Sequence, residues 1–289
     1  MADLLLREDA AGVATLTLNR PTARNALSLA LLDALEEMLA ALAVDRAVKA
    51  VVITGAGPGF CAGHDLRELT QARNDPDRGQ AFFETTMARC AAVMQAVARF
   101  PKPTIAAVNG IATAAGCQLV ASCDIAIADP HARFCTPGVN IGLFCATPAV
   151  AVSRAVPRRD ALEMLYTGEL YDAAYAARIG LVNRVVGEGE ALHEARTLAV
   201  RIAERPASVV QGGKAAFLRI EELTATLGLD ETLVVLKDNP QSIGRLKPIA
   251  ACSLDGMDTG KLRMMVFQFQ MFRAMQHGMI EQAEAGGLG

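Results

Sequence analysis

The sequence predicts an α/β fold in which ββα units repeat and stack in a spiral, followed by a C-terminal helical region. Short apolar strands alternate with longer segments whose apolar residues recur at helical spacing, over about 200 residues. Twice, at 51–66 and 104–122, a strand ends in a turn of small residues that leads into a helix. No heptad series or fixed-period repeat accompanies this alternation. We assign 1–200 to the spiral core and 201–289 to the helical region.

Composition excludes several classes of function. The 289 residues are 52% hydrophobic and 20% charged, which suits a substantial folded core rather than a disordered chain. A net charge of -3 offers no basic footprint for nucleic acid or an anionic membrane surface. No apolar run reaches the ~18 residues of a membrane span. The N-terminal segment MADLLLREDAAG is too acidic and too short in its apolar part for a targeting peptide. These features predict a cytoplasmic location.

The cysteines and histidines predict free thiols and no metal site. The seven cysteines are an odd number without a C-x-x-C pair, and cysteine in apolar surroundings behaves as a small buried hydrophobe. The four histidines never occur at i and i+4 with a carboxylate between them.

In the first half of the chain, strands are predicted from apolar runs and from the alternation of apolar and polar residues, and helices from N-caps and helical spacing. Ser28 is a suitable N-cap, and Arg20-Pro21 ends the strand before it. The predicted elements in this half are strands 13–19, 51–54 and 104–108, and helices 28–44, 81–100 and 117–122, with a further helix opening at Asp65.

The second half is read in the same way. Pro157 interrupts a long helical pattern. The predicted elements are strand 124–129, a turn at 136–140, helical pattern 147–174 broken at the proline, strand 181–186, and amphipathic helices 188–204 and 207–219.

The stretch VVITGAGPGFCAGHDL at 51–66 is the first candidate site. Its glycine-rich run cannot stay regular, and the helix that opens at Asp65 leaves backbone N–H groups unpaired at its start. Such groups stabilise a developing negative charge, although an ordinary turn remains the alternative. A dinucleotide-binding fingerprint fails because Phe60 stands where glycine or alanine is required, and no Lys-Ser or Lys-Thr pair makes a Walker loop.

The loop 109–116 repeats this arrangement after the strand 104–108. It consists of small residues and leads into a short helix. Two such helix starts, brought side by side, would supply two convergent N–H donors.

Five segments resemble the crotonase family (enoyl-CoA hydratase/isomerase) in order and spacing, over roughly residues 10–220. They are LNRPTARNALS (18–28), FCAGHDLREL (60–69), PTIAAVNGIATAAGCQLVASCDIAIA (103–128), FCTPGVNIGLF (134–144) and ALEMLYTGELYDAAYAARIGLVNRVV (161–186). The segments 112–125 and 136–145 are most similar to the subgroup called enoyl-CoA hydratase domain-containing protein 3.

The resemblance implies an enzyme of acyl-CoA thioesters in fatty acid metabolism, with acyl-CoA as substrate or ligand and no separate cofactor. It implies a homo-oligomer, either a trimer or a dimer of trimers. In the family two backbone N–H groups bind the thioester oxygen, and by position these belong to His64 and Ala115. The CoA moiety is lined, again by position, by Ala23, Arg24, Ala26, Cys61, Ala62, Asp65 and Leu66.

Two departures from the family bear on the chemistry. The two glutamates that hold water in enoyl-CoA hydratases fall at Gln118 and Gly138. An amide takes no proton at neutral pH and glycine has no side chain, so general acid/base catalysis loses both groups. The resemblance as a whole still implies an enoyl-CoA hydratase-like lyase, without these two groups. A catalytically silent acyl-CoA binder or regulator, an isomerase and a thioester hydrolase remain open alternatives.

Other side chains offer replacement chemistry. His64 suits proton transfer, or is a hydrogen-bonded polar residue beside the acyl pocket. Cys145 is a nucleophile if its pKa is lowered, or packed core. Asn140 and Gln118 either orient a water molecule between them or are structural.

The tail departs most from the family after about residue 222. Only the segment 245–248, Arg-x-Lys-Pro, faintly resembles the family's C-terminal region. The methionine- and phenylalanine-rich segment 264–279 is read as an interface helix, with an altered or spurious tail as the alternative.

Overall fold

The computed structural model describes residues 3–226. The chain separates into two compact units, Met1–Val210 and Gln211–Gly289. The predictions for 245–248 and 264–279 lie outside the described residues.

The described residues form an alternating series of strands and helices. In the first half these are β1 (Leu5–Ala10), β2 (Val13–Leu18), α1 (Leu29–Val44), β3 (Ala50–Gly55), β4 (Gly59–Cys61), α2 (Leu66–Ala72), α3 (Gln80–Ala98), β5 (Thr104–Val108), β6 (Ile111–Thr113) and α4 (Ala115–Ser122). There follow β7 (Ile125–Ala128), β8 (Arg133–Cys135), α5 (Ala146–Ala155), α6 (Arg158–Thr167), β9 (Tyr171–Asp172), α7 (Ala173–Arg178), β10 (Arg184–Val185), α8 (Ala191–Ala203) and α9 (Ala207–Thr226). Short 3₁₀ turns occupy Pro21–Ala23 and Pro137–Ile141.

Two sheets confirm the ββα spiral. The larger has six strands in the order β1-β2-β3-β5-β7-β10, and the smaller has four in the order β4-β6-β8-β9. Three successive strand pairs precede helical segments: β3 with β4, β5 with β6, and β7 with β8. In each pair the first strand belongs to the larger sheet and the second to the smaller one. The strands β3, β5 and β7 are parallel, as are β4, β6 and β8. The ends of β4 and β6 therefore lie side by side.

The larger sheet is covered on both faces. One core joins it to helices that include α1, whose Leu31, Leu35, Leu39 and Leu42 are buried at helical spacing. The opposite face packs against α8 through alanines spaced four residues apart, at Ala191, Ala195, Ala199 and Ala203. Small side chains allow this helix to approach the sheet closely, and burial on both faces explains the continuous apolar strands.

Some predicted boundaries are corrected by the structure. The glycine-rich loop after β3 contains the strand β4, and the small-residue loop after β5 contains β6. Parallel pairing between them overrides the weak strand propensity of glycine and alanine. The short helix predicted at 117–122 begins earlier, at Ala115, and the N-terminal strand β1 was not predicted.

Two predictions in the second half are also corrected. The helical pattern 147–174 breaks at Gly168 as well as at Pro157, because this glycine ends α6 in a left-handed conformation. The strand predicted at 181–186 is reduced to β10, since Leu181 still donates its N–H to Ala176 at the end of a helical turn. Within residues 3–226, no helix is both long and apolar enough to cross a membrane.

Candidate functional site

The segment that follows β4 lies between two neighbouring stretches of backbone. On one side, the Ala62 N–H donates to the Arg24 carbonyl (N···O 3.0 Å). On the other, the Thr113 hydroxyl donates to the Ala62 carbonyl (O···O 2.9 Å). Residues 62–65 thus form the centre of the candidate site, with the loop before α1 on one side and the end of β6 on the other.

The pairing of this segment with Leu27 sets the direction of the His64 N–H. The Leu27 N–H donates to the Gly63 carbonyl (N···O 2.7 Å), and the Asp65 N–H donates to the Leu27 carbonyl (N···O 3.1 Å). Because successive N–H groups of an extended chain point to opposite sides, the His64 N–H points away from Leu27. It therefore faces the side on which β6 ends, and it donates no hydrogen bond to any group within residues 3–226.

The start of α4 meets the same segment at Gly63. A Cβ on this glycine would lie 3.3 Å from the Ala115 nitrogen and 2.9 Å from the Thr113 carbonyl oxygen, and its φ is +84°. Only glycine fits that position. Ala115 is the first residue of α4, and its N–H has no acceptor in the part of the chain that the structure describes. The N–H groups of His64 and Ala115, neither of which has an acceptor within residues 3–226, therefore lie on two adjoining segments.

Two further features hold α4 in this position. A Cβ on Gly116 would lie 2.0 Å from the Cys61 carbonyl oxygen, so the helix rests directly on the end of β4. Ala114, which precedes the helix, has φ 50° and ψ -117°. This conformation is unfavourable for any residue with a Cβ, at a cost of about 1–3 kcal/mol. The surrounding contacts therefore hold the turn in a strained geometry.

An ion pair joins the two segments on the Leu27 side. An Arg20 Nη2 lies 2.7 Å from the Asp65 Oδ2, and Arg20 Nη1 donates to the Ala26 carbonyl. The other Asp65 oxygen accepts from the Arg67 N–H (3.0 Å) and caps α2. Burial raises the pKa of the Asp65 carboxyl, but hydrogen bonds from Arg20 and from the Arg67 N–H outweigh it and hold this pKa below its usual value. Asp65 thus links the segment after His64 to the loop before α1 and fixes the start of α2.

The remaining positions predicted to line CoA fall into two groups. Arg24 is exposed and Ala23 half-buried beside it, while Leu66 is 63% exposed on α2. Ala26 and Cys61 are buried, and burial raises the pKa of the Cys61 thiol to about 12. Cys61 and Ala26 therefore border the site through their backbone, because their side chains are in the interior.

The side chains of Gln118 and His64 carry polar atoms that lack partners. Gln118 is only 6% exposed, and its Oε1 has no hydrogen-bond partner within residues 3–226. The same is true of His64 Nε2, which is shielded from solvent. Burial lowers the pKa of His64, so the imidazole is neutral at pH 7. Both groups can therefore hydrogen-bond to a ligand without a charge.

Gly138 and Cys145 close the position of the second family glutamate. The Gly138 N–H donates to Cys145 Sγ (3.3 Å), and a Cβ on Gly138 would lie 2.8 Å from that sulfur and 2.7 Å from the Leu143 carbonyl oxygen. Burial raises the pKa of the Cys145 thiol, which favours the packed interpretation over a nucleophile. Asn140 donates to the Gly168 carbonyl (3.2 Å), which favours a structural role for its amide.

Comparisons with known proteins identify the family. The family model described as "Enoyl-CoA hydratase/isomerase" matches residues 8–242. The chain belongs to this family, the crotonases. The "Enoyl-CoA hydratase domain-containing protein 3, mitochondrial" of Rattus norvegicus is 48% identical over 208 residues, covering 72% of this chain and 68% of the relative. The Homo sapiens protein of the same name is 46% identical over 208 residues, covering 72% and 67%. These relatives confirm the predicted subgroup.

Solved crotonase structures confirm the fold. A crystal structure of an enoyl-CoA hydratase from Mycobacterium smegmatis has a TM-score of 0.76 at 46% identity, covering 86% of this chain and 95% of that one. The crystal structure of human enoyl Coenzyme A hydratase domain-containing protein 3 also has a TM-score of 0.76, at 40% identity, covering 85% and 92%.

The prediction of a cytoplasmic location is wrong. The rat, mouse and human relatives are named as mitochondrial proteins. That prediction was based only on composition and on a short N-terminal segment, and neither feature determines the compartment of a folded crotonase.

Sequence reasoning missed the Arg20–Asp65 ion pair and the contact of Gly63 with the start of α4. Both partners of the ion pair lie in segments that resemble the family, 18–28 and 60–69, and opposite charges in two such segments were the available signal. In the described part of the chain, no group of three or more His, Cys, Asp or Glu side chains is placed to hold a metal ion.

Proposed function

We propose that this crotonase binds acyl-CoA thioesters and polarises the thioester carbonyl with the N–H groups of His64 and Ala115. The observation that carries the proposal is that these two N–H groups, on segments that adjoin at Gly63, have no acceptor within residues 3–226. A thioester oxygen between them would accept two hydrogen bonds. Charge that develops on that oxygen in an enolate would strengthen both bonds, and one such fixed donor is typically worth about 3–4 kcal/mol in the transition state.

The CoA moiety would lie along the segments 23–26 and 61–66. Arg24 and Leu66 are the exposed side chains there, one positively charged and one apolar. They suit the phosphates and the hydrocarbon parts of CoA, respectively. Cys61, Ala62 and Ala26 would contribute through the backbone, while the Asp65 carboxylate is already occupied by Arg20 and would act on backbone geometry.

The reaction that fits this site is an enoyl-CoA hydratase-like lyase reaction through a thioester enolate. The two N–H groups of His64 and Ala115 form an oxyanion hole. Backbone donors impose no side-chain identity, so this hole is preserved whatever residues stand at the glutamate positions. A second candidate, a catalytically silent acyl-CoA binder or regulator, is favoured by the amide at Gln118 and by the closed position at Gly138. An isomerase or thioester hydrolase uses the same polarised carbonyl.

We also propose a homo-oligomer, a trimer or a dimer of trimers. Large apolar side chains are exposed on 141–170, and their burial between copies would stabilise an assembly. They are Ile141, Leu143, Phe144, Val150, Tyr166 and Leu170.

The backbone hole is tested by removing one donor. His64→Pro deletes the N–H, whereas the control His64→Ala keeps it. Titration calorimetry with butyryl-CoA and its thioether analogue, butyl-CoA, isolates the carbonyl contribution. Wild type and His64→Ala should prefer the thioester about thirtyfold, the size of two net hydrogen bonds of about 1 kcal/mol each, and a folded His64→Pro should retain only about fivefold, the size of one. An unchanged preference in the proline variant refutes the assignment.

Turnover separates the two candidate functions. Crotonyl-CoA absorbance, measured at saturating protein, reports hydration directly. Binding of crotonyl-CoA without loss of absorbance would exclude hydration and support the silent binder. Mass spectrometry on a panel of acyl-CoA thioesters would detect isomerisation or hydrolysis.

A further inference from the structure

The direction of the proposed His64 donor is set by the peptide unit that joins Gly63 to His64. In a planar trans peptide the C=O and N–H bonds point in opposite directions. The Leu27 N–H donates to the Gly63 carbonyl oxygen (N···O 2.7 Å), so the His64 N–H points away from Leu27. A shift of Leu27 relative to Gly63 would rotate this peptide unit, and with it the N–H that is proposed to bind the thioester oxygen. The groups that hold Leu27 in place therefore bear on the hole.

The loop that carries Leu27 is irregular and is held by side chains. Asn25 has a φ of 55°, in the left-handed region that residues with a Cβ rarely adopt. Its buried amide donates to the carbonyls of Ala56 (2.9 Å) and Gly59 (2.7 Å). Its Oδ1 accepts from the Arg20 N–H (2.8 Å). These bonds fix the loop against the turn at the start of β4.

The Arg20 guanidinium joins this loop to the segment after His64. Its Nη1 donates to the carbonyl of Ala26, which precedes Leu27. Its Nη2 lies 2.7 Å from Oδ2 of Asp65, which follows His64. One planar group therefore bridges the two chains directly beside the backbone pairing at Leu27. The side chains of Arg20 and Asp65 are 21% and 8% exposed, so water and salt screen this ion pair only weakly.

We infer that Arg20 is a positioning residue, which fixes the direction of the His64 N–H by holding the backbone of Ala26 and Leu27 against residues 63–65. The inference rests on the proposed acyl-CoA site. Arg20 acts through the hydrogen bond between Leu27 and that segment, and not on the reacting atoms. Arg20→Met keeps a long unbranched side chain but removes both hydrogen bonds. The pairing at Leu27 would loosen, and the His64 donor would lose its fixed direction.

The test measures by titration calorimetry how strongly the protein prefers butyryl-CoA over its thioether analogue, butyl-CoA. Wild type should show the preference of about thirtyfold expected from two donors. Arg20→Met should reduce it toward about fivefold, with the affinity for butyl-CoA changed less than about threefold. A merely structural role would weaken both ligands alike and leave the ratio unchanged. Asp65→Asn keeps an N-cap for α2 but removes the charge at the other end of the bridge, and it should lower the ratio in the same direction.

Arg7→Met is the matched control. Arg7 Nη2 lies 2.7 Å from Asp45 Oδ2, and these two side chains are 28% and 29% exposed. Asp45 follows the last residue of α1, so this ion pair lies about 24 Å along the helix from the loop that carries Leu27. Its removal should leave the thioester preference unchanged.

Each outcome decides the question. An unchanged preference in a folded variant of Arg20 or Asp65, or an equal fall in Arg7→Met, overturns the positioning role and leaves the backbone hole intact. A wild type that binds both ligands equally overturns the hole, and this inference with it. A wild type that binds neither ligand overturns the acyl-CoA assignment itself.

Discussion

The substitution Gly138→Ala tests whether the second glutamate position is sterically closed. A Cβ at this residue would lie 2.7 Å from the Leu143 carbonyl oxygen, 2.8 Å from Cys145 Sγ and 3.2 Å from Cys145 N. Its φ is not in the left-handed region, so the penalty is steric. Overpacking of this kind costs about 1–3 kcal/mol, and the lower entropy of the unfolded alanine chain offsets about 0.4–1 kcal/mol. We expect a net loss of about 1–2 kcal/mol in the free energy of unfolding.

Urea denaturation measures this loss. Gly187→Ala is the control, because its Cβ would meet only the flexible Glu190 side chain, at 3.3 Å. It should change stability by less than about 0.5 kcal/mol. In a Cys145→Ala background, the cost of Gly138→Ala should fall by about 0.5–1 kcal/mol, because one of the close contacts is gone. A Gly138→Ala variant as stable as wild type would refute the steric interpretation.

The same geometry bears on any attempt to restore acid/base chemistry. Gly138→Glu adds a larger side chain to a position that cannot hold a methyl group without movement of the loop. A glutamate at 138 is therefore expected to destabilise the protein rather than to recreate the hydratase site, unless the 143–145 backbone moves.

Two further predictions concern the segments that meet at the hole. Ala114→Gly should raise the free energy of unfolding by about 0.5–2 kcal/mol in urea denaturation, because relief of the strain at φ 50° outweighs the added entropy of the unfolded glycine; a destabilised variant would contradict it. The lowered pKa of His64 means that the folded protein resists protonation there, so this contribution to stability is complete above the unfolded pKa of 6.5 and is lost as the pH falls toward the folded pKa. Urea denaturation at pH 7.5, 6 and 5 should show a smaller decline for His64→Gln than for wild type, with a difference in slope of at most about 1.4 kcal/mol per pH unit; parallel pH profiles would exclude this origin.

Much of the fold was readable from local patterns. The strand 104–108 and the Ser28 cap of α1 were predicted as found, since a buried apolar run and a capping hydroxyl act within a few residues. The strands β4 and β6 were not predicted, because each has only three residues within a stretch rich in glycine or alanine, and they pair with each other across about 50 residues of sequence. Resemblance to the crotonases supplied the family and the site positions, which periodicity alone did not.

Small residues before two helix starts indicated free N–H groups, and the resemblance to the crotonases assigned them by position to His64 and Ala115. What holds these two segments in place was not predicted. The strained turn at Ala114 and the Arg20–Asp65 ion pair depend on dihedral angles and on contacts between distant segments. No local pattern encodes either of them.

The sequence by itself determined the alternation of strands with helices and the two small-residue turns, because each is a property of residue type and spacing. The resemblance to the crotonases added the two positions at which the family's glutamates are replaced. Tertiary structure alone decided that the His64 N–H faces the end of β6, that Gln118 Oε1 has no partner within residues 3–226, and that Cys145 occupies the space beside Gly138. These outcomes depend on which segments pack together, since a hydrogen bond or a steric contact exists only when both partners reach the same point in space.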